Sequence, residues 1–314
     1  MKIPALSFIS AAIALFIGYS FTWTVTPIVF GLTYAIAALG VSVMVRAGQV
    51  SFGHALYACV AAYTVAFLAR AYPGTDAVVL IFAGVVMAFI FASVIGLFMV
   101  RYRGIFFGML NLAFSMVMFA LLSKLYHLTG GTDGLRINRP TMAGIVMERE
   151  TFEFTLLVLT VVLSLFLAWW VQRYFRSGSG QALSAIKTNE TRLEYLGFSA
   201  YFIMWKGYVF SAVVVGFSGG LLALMQGLVT PEMGAWLRSG EFVFITILGG
   251  AGHAAGAFLG AIAFETVKLT SSAYFPGLWQ FILGFTLIIV IFIFPSGFVG
   301  EVEKRLRARQ KAKD

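Results

Sequence analysis

Apolar residues run in long, nearly unbroken stretches along this chain, separated by short polar breaks. A bilayer core about 30 Å thick takes around 20 mostly apolar residues per helix, and stretches of that kind recur along the whole length. About ten are marked out, at residues 3–21, 28–45, 50–69, 77–100, 105–122, 154–171, 207–229, 242–248, 254–272 and 278–294, the eighth being the shortest. Barrel strands would alternate apolar and polar residues over about ten positions, whereas these runs are continuous. Helices are expected, because backbone polar groups in lipid must be satisfied within their own segment or by a closed barrel. The fold class is therefore all-α, a polytopic transmembrane helical bundle, with residues 1–314 forming a single domain. The first run is hydrophobic enough to target the membrane and has no small-x-small cleavage site before Phe21, so it reads as an uncleaved first helix.

One stretch departs from the pattern. Residues 172–205 form a long polar island that reads as a helix from about Gly180 to Leu196. Ala182, Ile186, Leu193 and Leu196 would share one stripe, with Gln181, Ser184, Lys187, Thr191 and Glu194 on the other side. Ser179 is placed to cap the start and Gly197 to end the helix. Such a helix docks its apolar edge into a groove on a partner, or rests on lipid headgroups. A headgroup-bound helix is expected to carry a Lys/Arg-rich polar face, whereas Lys187 is joined here by Glu190 and Glu194.

Composition agrees with the membrane reading: 60% of the residues are hydrophobic and 11% charged, with a mean hydropathy of +0.92. The net charge of +9 is spread over segment ends and the tail at 301–314, without a basic stripe interleaved with aromatics, so nucleic acid is not the expected partner. The charges instead set orientation. Arg46, Arg101, Arg103, the polar island and the tail fall on one side, which the positive-inside rule makes cytoplasmic, and with Lys2 also inside the number of crossings is even. Both termini are then cytoplasmic, and lipid surrounds the rest. A loop of about thirty residues, 123–153, lies on the other face, of a length that is often functional.

Chemistry is sparse. There is no G-x-x-x-x-G-K-[ST] phosphate cradle, so any ATP the protein depends on is handled elsewhere. His54, His127 and His253 lack metal-ligand spacing, and no nucleophile elbow occurs. Cys59 excludes an intrachain disulfide. No catalytic residue and no metal ligand is expected. Glu265 and Lys268, three apart on the ninth segment, are spaced to pair along one helix face toward its outer end. Gln49 and Ser51 at a helix entrance, and Asn111 within an apolar run, are candidate polar contacts along a pathway, or packing hydrogen bonds between helices. Small residues recur at every fourth position at Ala212, Gly216 and Gly220, and again at Gly252, Gly256 and Gly260, which lets helix backbones approach closely or hinge. Gly249 and Gly250 directly follow the short eighth segment, where a broken or re-entrant element is expected.

The island and its surroundings carry a resemblance. Gly180-Gln-Ala-Leu-Ser-Ala-Ile-Lys-Thr-Asn-Glu190, continuing through Arg192, Gly197-Phe198 and Lys206 into Phe210-Ser211-Ala212 and Gly219-Gly220-Leu221, resembles the cytoplasmic coupling loop of LivM-type permeases. These are inner-membrane subunits of branched-chain amino-acid ABC importers. Gly48-Gln-Val-Ser-Phe-Gly-His-Ala55, Arg103-Gly-Ile-Phe-Phe-Gly-Met-Leu110, residues 129–135, Leu248-Gly-Gly-Ala-Gly252 and Pro295-Ser-Gly-Phe-Val-Gly300 match in the same order, over about residues 30–300. Lys187-Thr188 stands where the family usually has Arg and a charged or polar residue, and His253 where a small hydroxyl residue is common.

The resemblance implies an importer with a second, LivH-type permease subunit, two ATPase subunits that hold ATP and Mg, and an extracytoplasmic substrate-binding protein, in a bacterial or archaeal plasma membrane. This chain would hold no cofactor. Gly180, Ala182, Leu183, Ile186, Lys187, Asn189, Glu190, Arg192 and Gly197 would then couple it to the ATPase. The transported molecule is a branched-chain amino acid or a related small amino or organic acid. An autonomous secondary transporter or channel is the alternative, weakened by the scarcity of buried carboxylates.

Overall fold

The computed structural model describes residues 3–293 and 297–301. The chain is built from helices α1 (Ile3–Ser20), α2 (Val25–Arg46), α3 (Ala55–Ala71), α4 (Ala77–Met99) and α5 (Gly104–Lys124), followed by the one-turn α6 (Tyr126–Thr129). Then come α7 (Arg149–Arg176), α8 (Gly178–Tyr195), α9 (Ala200–Gln226), α10 (Trp236–Gly249), α11 (Ala254–Tyr274) and α12 (Trp279–Ile293). Each of the ten apolar runs corresponds to one of these helices in order. Five helices (α2, α4, α5, α7 and α9) are individually long and apolar enough to cross a bilayer, and α10 with α11, bent by 115° between them, make up a sixth such unit. Helices α3 and α12 are apolar but shorter. The basic tail lies outside the described residues beyond 301.

Boundaries differ from the sequence reading in three places. Residues 47–54 are irregular, so the third helix begins at Ala55 rather than near 50. Helix α10 begins at Trp236, six residues before the apolar run at 242. The polar island is narrower than 172–205, because α7 continues to Arg176 and α9 starts at Ala200.

Helix α9 is the hub, packing against α2, α3 and α4. Its small residues decide how close the neighbours come. A Cβ at Gly219 would overlap the Ala58 carbonyl of α3, and one at Gly216 would lie 2.9 Å from the Ala88 Cβ of α4. Gly220 faces Ile81 at ordinary contact distance, and Ala212 is fully buried. The 212/216/220 stripe is thus a packing face toward α4.

The second small-residue stripe is shifted. Gly249, Gly256 and Gly260 meet, with backbone carbonyls of Gly256 and Ile245 where side chains would otherwise be. Gly252 takes no part: it is exposed in the turn before α11, with open space around its Cα. The reason is that α11 begins only at Ala254, after a turn that Gly250 makes possible with φ +90°.

The ends of the bundle are distinct. One bears Arg46, the α4–α5 turn, the α7–α8–α9 connection and the α10–α11 turn, where the Ala254 amide donates to Gln172 Oε1. The other bears the 123–153 segment, which is folded: Leu135–Arg136 pairs antiparallel with Leu228–Val229 after α9. From there the chain turns back inward. A 3₁₀ turn at Pro231–Gly234 packs on α3 and α5, and Ser115 of α5 donates to the Gly234 carbonyl. Helix α10 therefore starts inside the bundle and runs to the α8 end.

Candidate functional site

Helix α8 lies across the end of the bundle between the termini of α7 and α9. Ser177, not Ser179, caps it, its hydroxyl accepting from the Gly180 amide, so the helix begins two residues earlier than expected. It is not continuous. Asn189 has φ −163° and ψ 100°, and its side chain accepts from the Arg192 amide at 2.9 Å. That is an N-cap bond in the middle of the segment. Helix α8 is two short helices joined at a corner, and Gly197, at φ +84°, ends the second as expected.

The buried edge also departs from the expected stripe. Gly180, Leu183, Ile186 and Leu193 are buried, Ala182 is half-buried, and Leu196 is exposed. Leu183 fills the notch left by Gly207 of α9, 2.9 Å from where a Cβ would sit. The apolar edge is spent on the protein's own helices. What faces outward is Gln181, Lys187, Thr188, Asn189, Arg192 and Glu194, ending in the exposed apolar tip of Tyr195, Leu196 and Phe198.

An ion pair and a packing contact tie this element to the loops beneath it. Arg103, in the α4–α5 turn, grips Glu190 with both Nε (3.0 Å) and Nη2 (2.8 Å). The stem of Lys187 rests against Gly48, at the start of the break between α2 and α3. Gln49, two residues from Ala47, accepts the Gly104 amide at 2.7 Å, which joins the two loops to each other. Arg46 lays its guanidinium over the Phe175 ring at the end of α7, 4.6 Å from the centroid.

The break at 47–54 leads inward to a buried polar chain. Gly53 touches the backbone of Asn111, and Ser51, fully buried, accepts from the Gly53 amide. The break therefore runs along α5, with Gln49 bonded to its first residue and Gly53, which Ser51 holds, against Asn111. Asn111 is bonded through both atoms of its amide: Nδ2 donates to Phe107 O, so Oδ1 is the acceptor for Tyr208 (2.6 Å). With its proton committed there, Tyr208 accepts from Tyr57 at 2.7 Å. Beside them Ser211 donates to Gly40 O, so His54 Nε2, 2.8 Å away, must be the donor to Ser211 Oγ. His54 Nδ1 has no partner among the described residues. A neutral Nε2–H imidazole satisfies that geometry.

Sequence reasoning did not single out Tyr57, Tyr208, His54 or Ser211 as a group, although His54 and Ser211 both stand inside blocks that carried the family resemblance. Nor did it assign Arg103 to the island. It also misplaced one pair: Lys268 does not turn to Glu265 but to Glu241 (3.2 Å) and the Tyr34 hydroxyl (3.3 Å).

Comparison with known proteins bears on this arrangement. Residues 23–291 match the family described as "Branched-chain amino acid transport system / permease component". Two curated relatives, both named "High-affinity branched-chain amino acid transport system permease protein LivM", come from Salmonella typhimurium LT2 and Escherichia coli K12. The first is 27% identical over 303 residues, 88% of this chain and 70% of the relative. The second is 28% identical over 306 residues, covering 90% and 71%. No solved structure matches. The chain belongs to the family of branched-chain amino acid transport system permease components.

Proposed function

We propose that this chain is the membrane-spanning permease subunit of an ABC importer for branched-chain amino acids or related small amino or organic acids, worked by ATP-driven alternating access. The apolar segments make ten crossings of a bacterial plasma membrane with both termini in the cytoplasm, α10 completing a crossing that begins with the 231–234 turn, and the end bearing α8 is the cytoplasmic one. The partners are a second permease, two ATPase subunits that bind ATP and Mg, and an extracytoplasmic binding protein. This chain forms the path for the solute and leaves ATP hydrolysis to its partners.

The observation that carries the reading is the mounting of α8. Its inner edge is fixed by Leu183, Ile186 and Leu193, its corner is held by Arg103, and its outer face of Lys187, Asn189, Arg192 and the Tyr195–Phe198 tip is free. Gly180 bonds the Ser177 cap at its start, Gly197 ends it, and Ala182 lies at the margin of the buried edge. A push on the free face is passed directly to α7 and α9 and, through Arg103 and Gly48, to the breaks before α5 and α3. That is what a subunit needs when its energy comes from a partner.

The test is Ile186→Pro and Glu190→Lys in the assembled importer, reconstituted with its ATPases and binding protein. Both variants are expected to insert at normal levels and to hydrolyse ATP without uptake. Normal coupled uptake in both would refute the coupling role.

A further inference from the structure

A group of charged side chains of both signs meets well inside the bundle, where α2, α10 and α11 come together. Lys268 of α11 donates to Glu241 Oε1 and to the Tyr34 hydroxyl, and Arg238 lies 3.4 Å from Glu241 Oε2. The Lys268 ammonium also sits over three rings, those of Tyr34, Phe264 and Trp279, at 4.8, 5.6 and 5.9 Å. Glu265, one turn before Lys268, is packed beside Gly31 and only 9% exposed. Its Oε1 is buried and has no hydrogen-bond partner among the described residues. Among the described residues Glu241 is thus bonded to two cations, while Glu265 Oε1 is bonded to none.

Depth makes this arrangement informative. At 1.5 Å per residue, Glu265 and Lys268 lie about 16 and 21 Å along α11 from Ala254, and Tyr34 about 18 Å along α2 from Arg46. Arg238 and Glu241 belong to the first two turns of α10, which starts just after Gly234, itself held by Ser115 about 16 Å into α5. In a core about 30 Å thick, these groups are at middle depth or a little beyond. Glu265 is therefore not at the outer end of its helix, as its sequence position suggested. Lys268, Arg238 and Glu241 nevertheless keep 22%, 24% and 13% of their side-chain surface open. Ionised groups at that depth face water or protein, not hydrocarbon. Interrupted helices that start inside the membrane are, in transporters generally, where solutes are held.

We propose that Tyr34, Arg238, Glu241, Glu265 and Lys268 form a recognition site for the zwitterionic head of a free α-amino acid on its way through the membrane. The Glu265 carboxylate, whose Oε1 has no hydrogen-bond partner among the described residues, takes the ammonium group, next to the aromatic rings that now surround Lys268. Arg238 and Lys268, which share a single carboxylate, take the substrate carboxylate in exchange for part of their hold on Glu241. Charge-assisted bonds of this kind discriminate an amino acid from its deaminated analogue, because a buried carboxylate left without its cation is costly. This inference rests on the transport reading above and names the chemistry that the path would select.

The test uses the complete importer in proteoliposomes with ATP and binding protein, with labelled L-leucine as probe and rates taken per assembled complex. Wild-type uptake is measured first, and its absence would overturn both the transport reading and this site. Given wild-type uptake, Glu265→Gln is expected to slow leucine at least tenfold while ATP hydrolysis stimulated by the loaded binding protein stays within twofold. Glu265→Asp, which keeps the charge, is expected to retain at least a third of the rate. Wild-type rates in Glu265→Gln would overturn this site alone, as would an Asp variant as slow as the Gln one, which would reduce the position to one of shape.

Discussion

Arg103 and Glu190, eighty-seven positions apart, form a two-pronged ion pair between the α4–α5 turn and the corner of α8. Both side chains are about a third exposed or less, at 27% and 34%. A pair in that setting contributes about 1 kcal/mol or less to stability, so it is poorly explained as a fastener for the fold. Its geometry matters more than its strength: two parallel bonds fix the direction of the corner as well as its distance.

That distinction can be measured. Arg103→Glu and Glu190→Arg are each expected to leave membrane levels unchanged and to reduce coupled uptake at least fivefold. The doubly exchanged protein is expected to recover a substantial part of the loss. Equal uptake in the single variants, or no recovery in the double exchange, contradicts a mechanical role.

Asn189 makes a separate prediction. Its side chain caps the second half of α8 through the Arg192 amide, and replacing such a cap with alanine costs about 1 kcal/mol. In Asn189→Ala, backbone hydrogen exchange over 190–196 is expected to rise severalfold, with exchange over 178–188 unchanged. A uniform change across both halves would show that the corner does not divide the helix.

The buried tyrosines should respond unequally. Tyr208→Phe removes the donor to Asn111 Oδ1 and the acceptor of Tyr57, stranding two buried polar groups at about 1–3 kcal/mol. Tyr57→Phe removes a donor and leaves the Tyr208–Asn111 bond intact. The thermal midpoint of the detergent-purified protein is expected to fall clearly for Tyr208→Phe and much less for Tyr57→Phe. The reverse order would refute the assigned proton directions.

Adjacent glycines on α9 give a second contrast. A methyl at Gly219 collides with the Ala58 carbonyl, whereas one at Gly220 finds Ile81 atoms at 3.4–3.6 Å. Overpacking of this kind costs about 1–3 kcal/mol. Gly219→Ala is expected to lower the thermal midpoint by several degrees and Gly220→Ala to leave it nearly unchanged.

The helices were legible in the sequence because continuous apolar runs in a membrane protein have few other solutions. The island was legible for the opposite reason, as the one long polar stretch between such runs. Its interior was not. Asn189 entered only as one of the coupling residues that the resemblance implies, since a cap in mid-helix has no periodicity to betray it. Leu183 lay beside the stripe that Ala182 and Ile186 suggested, and only the notch at Gly207 on another helix selects it. Arg238 and Glu241 were missed because they precede the apolar run at 242, where charges normally mean a water-facing connector. A helix that begins inside the bundle reverses that inference, and nothing local in the sequence says how deep a helix begins.

The brevity of the joints at either side of α8 has a consequence for how force travels. Only Ser177 separates it from α7, and residues 196–199 separate it from α9. These are helices of 28 and 27 residues, about 40 Å each. If α8 takes the push proposed above, joints this short would turn a small tilt of α8 into a swing of two long lever arms, largest at the far end, where the strand after α9 pairs with the 123–153 segment. On the same reading the linkage would work in reverse, and a protein bound at that far end would load the joint at the α8 end.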